Sequence, residues 1–337
     1  MKKFLSIVLA VLMVATVFSM VGCGQDKEND ETLKMGLGVY SEYGSSKNAD
    51  GETNGSVKVA TTASAVLLDK DGKIVKCLVD TVECEVSFTS LGAIVVKDEY
   101  KTKGEQGESY NMVAYGGATK EWFEQADAFC KVVEGKTLDE VKALIVEGDK
   151  GNDEVIAAGC TIMIGEFVKA VEKAYANALD TNATAKDELS LSFVSKIEKA
   201  SDATEEKNGS CEVVSNICAV ATNAEVKVTA IKTDVALAKV AFTLDGALVT
   251  DTEAALSSKR EQGNGYGMSA YGQDLNGDGV VKEWFEQADA LEAACIGKTA
   301  DEIASLVVDG YGVESLQTAG CTIAISDIVA SVVKAAK

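Results

Sequence analysis

The chain has 337 residues, with 53 acidic side chains against 32 basic ones and neither histidine nor proline. A formal net charge of −21 repels phosphate backbones, so no nucleic-acid partner is expected. The lack of imidazole excludes His-based catalytic triads and His-ligated zinc or haem. Since no nucleophile–base pair is visible, we predict that the protein is not an enzyme, and that any redox chemistry comes from a bound cofactor.

The N-terminus has the three regions of a secretory signal peptide. Two lysines precede an apolar run over 4–21, and a glycine lies directly before Cys23. The run approaches the length of a membrane span, so an N-terminal anchor helix is the alternative. The Gly-Cys step resembles the lipobox of bacterial lipoproteins, with Met20 where leucine is usual. We therefore predict a signal peptide 1–22, a lipid on Cys23 and a tether over 23–33 that holds the protein on the extracellular face of the cell membrane.

Eight further cysteines form no C-x-x-C pair, which argues against iron–sulfur and zinc-ribbon sites. We interpret them as buried small hydrophobic residues rather than as a disulfide framework. They are Cys77, Cys84, Cys130, Cys160, Cys211, Cys218, Cys295 and Cys321.

The remainder of the chain contains one sequence twice. KEWFEQADA occupies 120–128 and again 282–290, and weaker matches extend on both sides. Such internal repetition indicates tandem copies of one domain. We place the first copy at 34–176, a linker at 177–188 and the second copy at 189–337.

Each copy is predicted to have strands first and helices after. In the first copy, alternating apolar residues predict three strands, over 56–68, 73–84 and 85–96. Helical spacing then predicts three helices, over 120–133, from Thr137 onward with a capping box, and over 162–178. The predicted fold class is α+β, an antiparallel strand meander followed by helices.

The tetrapeptide AGCT occurs once in each copy, between a loop and a predicted helix. Cys160 and Cys321 within it are the two cysteines at equivalent positions of the copies. A purely structural interpretation is a helix start, in which Gly159 turns the chain, Cys160 packs inward and Thr161 caps the helix. That interpretation explains less well why both copies keep the cysteine.

The mature chain resembles the flavin-carrying lipoproteins of the Gram-positive extracellular electron-transfer chain, which are relatives of FMN-binding domains. The resemblance rests on the lipobox, the DKDGKIV turn, the EQG…Y-x-M segment, KEWFEQADA and the AGCT-I motif. In that family, an FAD-dependent transferase esterifies FMN to the threonine of a Ser/Thr-Gly-Ala-Thr pattern. The matching residues are Gly159, Thr161, Gly320 and Thr322, whereas Ala158, Ala319, Cys160 and Cys321 depart from the pattern.

The resemblance implies an electron carrier with up to two covalent FMN groups, on Thr161 and Thr322. Its implied partners are the FMN transferase, a membrane quinone-linked electron donor and external acceptors. A phosphodiester at a helix N-terminus would meet free N–H groups and the positive end of the helix dipole. The alternative is a cofactor-free surface-binding or structural lipoprotein, which needs only the duplication and the anchor.

A flavin ring needs an apolar, partly aromatic bed, and the glycine-rich segment before KEWFEQADA offers one in each copy. Tryptophans at helical spacing are more typical of a core. The candidates are Tyr110, Met112, Tyr115 and Trp122 in the first copy, and Tyr266, Met268, Tyr271 and Trp284 in the second.

The second copy has an insertion whose oxygen ligands follow the spacing of a calcium loop. Asp274, Asn276 and Asp278 occupy positions 1, 3 and 5, with Gly279 at position 6. Phe285 occupies position 12, where an acid is expected, so an Asp/Asn/Gly turn is the alternative. Calcium here would be structural.

Overall fold

The computed structural model describes residues 31–97, 99–271 and 279–337. The predicted signal peptide, the lipidation site Cys23, most of the tether and the proposed calcium ligands Asp274, Asn276 and Asp278 lie outside these ranges. Secondary structure is mixed α and β, with antiparallel sheets. No helix among the described residues is both long and apolar enough to cross a membrane.

The first half, residues 31–187, forms one five-stranded antiparallel sheet and six helices. Its elements in chain order are β1 (Thr32–Lys47), β2 (Gly55–Leu68), β3 (Ile74–Phe88), β4 (Ile94–Val95), α1 (Lys103–Gln106), α2 (Met112–Gly116), α3 (Trp122–Val133), α4 (Leu138–Lys142), β5 (Ile145–Val146), β6 (Lys150–Gly151), α5 (Asp153–Ala158), α6 (Gly165–Ala176) and β7 (Leu179–Thr184). The sheet order is β4-β3-β2-β1-β7, and β5 pairs with β6.

The second half, residues 188–337, has the same sequence of main elements around a three-stranded sheet. They are β8 (Glu188–Ser201), β9 (Gly209–Thr222), β10 (Val228–Phe242), α7 (Lys259–Gln262), α8 (Met268–Tyr271), α9 (Trp284–Cys295), α10 (Ala300–Ala304), β11 (Val307–Val308), β12 (Tyr311–Gly312), α11 (Glu314–Thr318) and α12 (Ser326–Ala335). The sheet order is β10-β9-β8, and β11 pairs with β12. Short 3-10 helices span Gly107–Tyr110, Glu147–Asp149 and Gly263–Tyr266.

Strand β1 is the largest element that the sequence pattern does not predict. Two of its glycines face α6, and a Cβ on Gly36 would lie 1.8 Å from the carbonyl oxygen of Ala174. A Cβ on Gly38 would lie 2.0 Å from the carbonyl oxygen of Ala170. The glycines interrupt the alternation of apolar and polar side chains that is typical of a strand. They are required because a side chain at either position would collide with the backbone of α6.

Two other predicted boundaries differ from the structure. The strands predicted over 73–84 and 85–96 are mainly one continuous strand, β3, because its pairing with β2 runs unbroken past residue 84. The segment predicted as a linker contains β7, which pairs with the start of β1. The connection between the halves is therefore part of the first sheet.

The two sheets pack face to face and share one apolar core. Val59 and Val82 of the first sheet belong to the same buried cluster as Ile217 and Val240 of the second. On the outer face of each sheet, a separate cluster joins the strands to that half's own helices. The molecule therefore has four layers, in the order helices, sheet, sheet, helices, and its central strands are buried on both faces.

Contacts between the halves occur in pairs with the roles of the halves exchanged. The N–H of Ala49 donates to the Gly246 carbonyl at 2.9 Å, and the N–H of Ala203 donates to the Gly92 carbonyl at 2.8 Å. These residues correspond, since each is 154 positions from its counterpart. The halves are thus related by a local two-fold arrangement, as in an isologous dimer.

Two further contacts between the halves show the same exchange. The rings of Phe88 and Phe242, the last residues of β3 and β10, stack with centroids 4.6 Å apart in a small cluster of their own. Lys173 forms an ion pair with Glu261. Its counterpart is the ion pair between Lys334 and Glu105. Each terminal helix is therefore joined to the other half.

The buried carboxyl of Asp234 makes the stability of the fold depend on pH. It accepts hydrogen bonds from the N–H groups of Val235 at 2.7 Å and Arg260 at 3.1 Å, yet its burial raises the pKa to about 6. The folded value lies above the unfolded value of about 3.9. Stability from this group is therefore present at low pH and is lost as pH rises through 6.

We expect Asp234→Asn, which keeps the accepting oxygen, to gain roughly 1–3 kcal/mol relative to the parent between pH 4.5 and 7.5. Urea unfolding at both pH values measures the difference. The exposed Asp301→Asn is the control and should follow the parent. A parent and an Asp234 variant with parallel pH curves would show that this carboxyl does not titrate on unfolding.

Candidate functional site

The AGCT loop of each half lies between two helices of the outer layer. Gly159 ends α5 with a φ of +100°, and Gly320 follows α11 with a φ of +95°. Cys160 is fully buried, whereas Thr161 is exposed on the surface. The glycine turn and the inward cysteine agree with the structural interpretation of the motif.

The predicted position of the threonine at a helix N-terminus is wrong. Helix α6 begins at Gly165 rather than at residue 162, and its N-cap residue is Ile164. The chain is extended before the helix because Met163 bridges to Lys150 of β6 and the N–H of Ile164 donates to the Asp149 carbonyl at 2.8 Å. Helix α12 likewise begins at Ser326, so neither threonine faces the free N–H groups of its terminal helix.

A glutamine of KEWFEQADA holds each threonine. The Oε1 atom of Gln125 accepts from the Thr161 N–H at 2.8 Å and from the Thr161 hydroxyl at 3.0 Å. In the second half, Oε1 of Gln287 accepts from the Thr322 N–H at 2.8 Å and from its hydroxyl at 3.1 Å. Each threonine hydroxyl therefore points its proton at the glutamine oxygen, and the hydroxyl oxygen itself stays available for reaction.

The same glutamines connect the threonines to the methionines of the glycine-rich segment. The Nε2 atom of Gln125 donates to Met112 Sδ at 3.3 Å and to the Lys120 carbonyl at 3.0 Å. Gln287 donates to Met268 Sδ at 3.3 Å in the same way. Both glutamines are buried, at 1% and 3% exposure. A buried amide needs hydrogen-bond partners, and the threonine, the methionine and the lysine carbonyl supply them.

A lysine lies across the glycine of each AGCT loop. Lys282 Nζ donates to the Ala319 carbonyl at 3.0 Å, and Lys120 Nζ approaches the Ala158 carbonyl at 3.4 Å. A Cβ on either glycine of the motif would lie 2.2 Å from that ammonium nitrogen. Glycine is therefore required here twice over, for the positive φ and for the close approach of a cation to the threonine loop.

The cysteines of the two loops are not reactive groups. Burial raises the pKa of the Cys160 thiol to about 11, against an opposing effect of Lys120. Burial likewise raises the pKa of Cys321 to about 11. Thiols in this state are protonated at neutral pH and act as core residues. The eight cysteines of the described chain are all buried and free, as the sequence pattern predicts.

The residues predicted to form a flavin bed are only partly brought together. Met112 and Met268 reach the threonine sites through the glutamines. Trp122 and Trp284 are core residues at 4% and 2% exposure, and Tyr115 is 88% exposed.

The remaining tyrosines have other neighbours. Tyr110 and Tyr266 lie under ammonium groups, with Lys103 Nζ at 5.4 Å and Lys259 Nζ at 5.2 Å from their ring centroids. The side chain of Tyr271 lies outside the described part of the chain.

Within the residues that the structure describes, no group of three or more Cys, Asp or Glu side chains is placed to hold a metal ion. The calcium prediction concerns residues outside that part, and it stays a prediction.

Comparison with protein-family models, with curated proteins and with solved structures finds no match to this chain. Function is therefore inferred from the paired threonine sites and from the sequence motifs.

Proposed function

We propose that this protein is a lipid-anchored extracellular flavoprotein that carries FMN on Thr161 and Thr322 and passes electrons from a membrane quinone-linked donor to external acceptors. Each half is then one FMN-binding-like domain, and the two domains are tandem copies. The observation that carries the proposal is the threonine site itself, since each half holds a surface threonine on a buried glutamine beside a lysine.

The threonine geometry suits a residue that is modified by a separate enzyme. The Thr161 side chain is exposed, and the bond to Gln125 Oε1 orients its hydroxyl. During transfer from FAD, the threonine oxygen bonds to the flavin-side phosphorus while the bond to AMP breaks and the hydroxyl proton is released. The exposure of Thr161 supports access by a bulky transferase.

The charge of the loop suits a phosphodiester. Since the terminal helices begin beyond the threonines, the helix dipole does not supply the positive charge. Lys120 and Lys282 supply it instead, because each ammonium lies against the glycine two positions before the threonine. FMN, when bound, supplies the electron-transfer chemistry, and these residues of the chain hold and orient its phosphate.

The chain departs from the family pattern at two positions of each AGCT motif, and these differ in whether a transferase could contact them. Cys160 and Cys321 replace alanine but are fully buried, so they do not change the surface that a transferase meets. Ala158 and Ala319 are exposed and lack the usual hydroxyl. Recognition would then rest on the glycine and threonine.

The proposal is tested by intact mass and peptide mapping of the chain produced with an FAD-dependent FMN transferase. We expect a gain of two FMN groups less two waters. Thr161→Ala and Thr322→Ala should each lose one group, because each removes one ester oxygen. Thr119→Ala, at another exposed threonine, is the control and should keep both.

Unmodified threonine peptides, in cells where another substrate of the same transferase is flavinylated, would contradict the proposal. The cofactor-free binding or structural lipoprotein would then be the better description.

A further inference from the structure

A surface groove of about 500 Å³ opens directly beside Thr322. Its walls come from the β11–β12 hairpin and from α11, and Thr322 itself lines it. The lining side chains are Val308, Asp309, Tyr311, Val313, Glu314, Gln317 and Thr322. The groove is the right size for a small planar ligand, since sites for such ligands measure about 300–1,000 Å³.

Tyr311 and Val308 are the apolar surfaces of this groove that have no cover. They are 47% and 54% exposed, although both belong to paired strands. The hairpin turns at Asp309 and Gly310, which both have positive φ, at +49° and +88°. This tight two-residue connection has the twist of the flanking strands and fixes the tyrosine at the groove.

The first half differs at the equivalent place. Lys150 directly precedes the glycine of β6, as Tyr311 directly precedes the glycine of β12. Three residues, 147–149, separate β5 from β6, whereas two separate β11 from β12. Thr161 is exposed, whereas Thr322 is half-buried. The two threonine sites therefore have different surroundings.

We propose that the groove beside Thr322 is a binding site for an isoalloxazine ring, which lies against Tyr311 and is shielded there from solvent. The inference rests on the proposed function, because the ring is delivered to the groove by its own phosphate linker on Thr322. In the first half, Lys150 takes the place of Tyr311, and the pocket of about 330 Å³ beside the AGCT loop is lined by the charged Lys120, Glu124, Asp127 and Lys131 with Ala128 and Ala158. The ring on Thr161 therefore has no aromatic side chain to lie against and stays more open to solvent. The two halves thus offer one sheltered flavin site and one open one.

The shielding is measured by acrylamide quenching of flavin fluorescence in two single-site proteins. Thr161→Ala leaves the Thr322 site, and Thr322→Ala leaves the Thr161 site. We expect a severalfold smaller quenching constant for the flavin on Thr322. Adding Tyr311→Lys to the first protein should raise its constant to that of the open site, and Tyr311→Phe should keep it low.

The reciprocal substitution should shield the flavin on Thr161 from solvent. Lys150→Tyr, added to the protein that retains Thr161, should lower the quenching constant. Leu91→Lys, at an exposed residue in the turn between β3 and β4, is the control and should change neither protein. Equal quenching constants at both sites, or no response to Tyr311→Lys, would overturn the groove assignment while leaving the flavin carrier intact.

Unmodified protein separates the two proposals. Titration of free FMN with it should shield the ring weakly and lose that shielding in Tyr311→Lys. Tyr311-dependent binding of free FMN, combined with Thr161 and Thr322 peptides that stay unmodified after coexpression with the transferase, would support the groove and contradict the covalent carrier. Neither modification nor Tyr311-dependent binding would overturn both.

Discussion

Neither residues 31–187 nor residues 188–337 will fold as a soluble monomer when produced alone. The apolar cluster between the sheets takes members from both halves, so each isolated half would expose the whole inner face of its sheet. Contiguous apolar surface of this kind drives association or aggregation. Gel filtration and circular dichroism should therefore show aggregates or self-associated species for each half, and a native-like complex when the halves are coexpressed.

The coexpressed pair is the control for damage at the cut, because it carries the same new termini. A single half that is monomeric and unfolds cooperatively would show that the shared core is dispensable. Self-association of one half into a dimer would agree with the prediction, since the two-fold arrangement lets a second identical copy take the place of the missing half.

Phe88→Ala and Phe242→Ala should each lower the free energy of unfolding by about 3–5 kcal/mol. Both rings are fully buried and stack on each other across the interface between the halves. Each ring also fills the space above a glycine, since a Cβ on Gly55 would lie 2.2 Å from Phe88. The backbone there is held by strand pairing, so the site cannot collapse on the cavity.

Urea unfolding of the single variants and of the double variant measures this contribution. The double variant should be destabilised by less than the sum of the singles, because the rings contact each other. Leu91→Ala, close to Phe88 in the chain but 82% exposed, is the control and should change stability by less than about 0.5 kcal/mol. Losses near 1 kcal/mol would show that neighbouring side chains fill the space.

The helices next to the threonine sites are the part of the fold that the sequence predicts best. Trp122, Ala126 and Phe129 have helical spacing and share the buried face of α3. The capping box of Thr137 and Glu140 is present as predicted. These features are local, so a short stretch of sequence contains all the information that they need.

Local sequence patterns of this kind do not predict how the two sheets pack. Strands β2 and β9 are buried on both faces, and their apolar runs do not say which face meets the other half. Strand β1 is hidden by the glycines that accommodate α6. Long-range pairing decides both features.

The duplicated AGCT motif predicts Thr161 and Thr322 as site residues, but the sequence does not predict that Gln125 and Gln287 accept hydrogen bonds from them. Gln125 lies on the same helix face as Trp122 and Phe129, where a polar side chain must find a buried partner. A polar residue on a buried helix face is therefore the sequence feature that could have identified the glutamine. No such feature identifies Lys120, because a lysine before a helix is usually solvated. The helical spacing of Ile162 and Ile164 with the residues that follow predicts a helix from residue 162, whereas α6 begins at Gly165.

The four-layer order has a geometric consequence for the two threonine loops. Each loop belongs to the helix layer of its own half, and these layers lie on opposite outer sides of the paired sheets. With layers about 10 Å apart, the helix layers are separated by roughly 30 Å. One docked partner therefore meets one loop at a time.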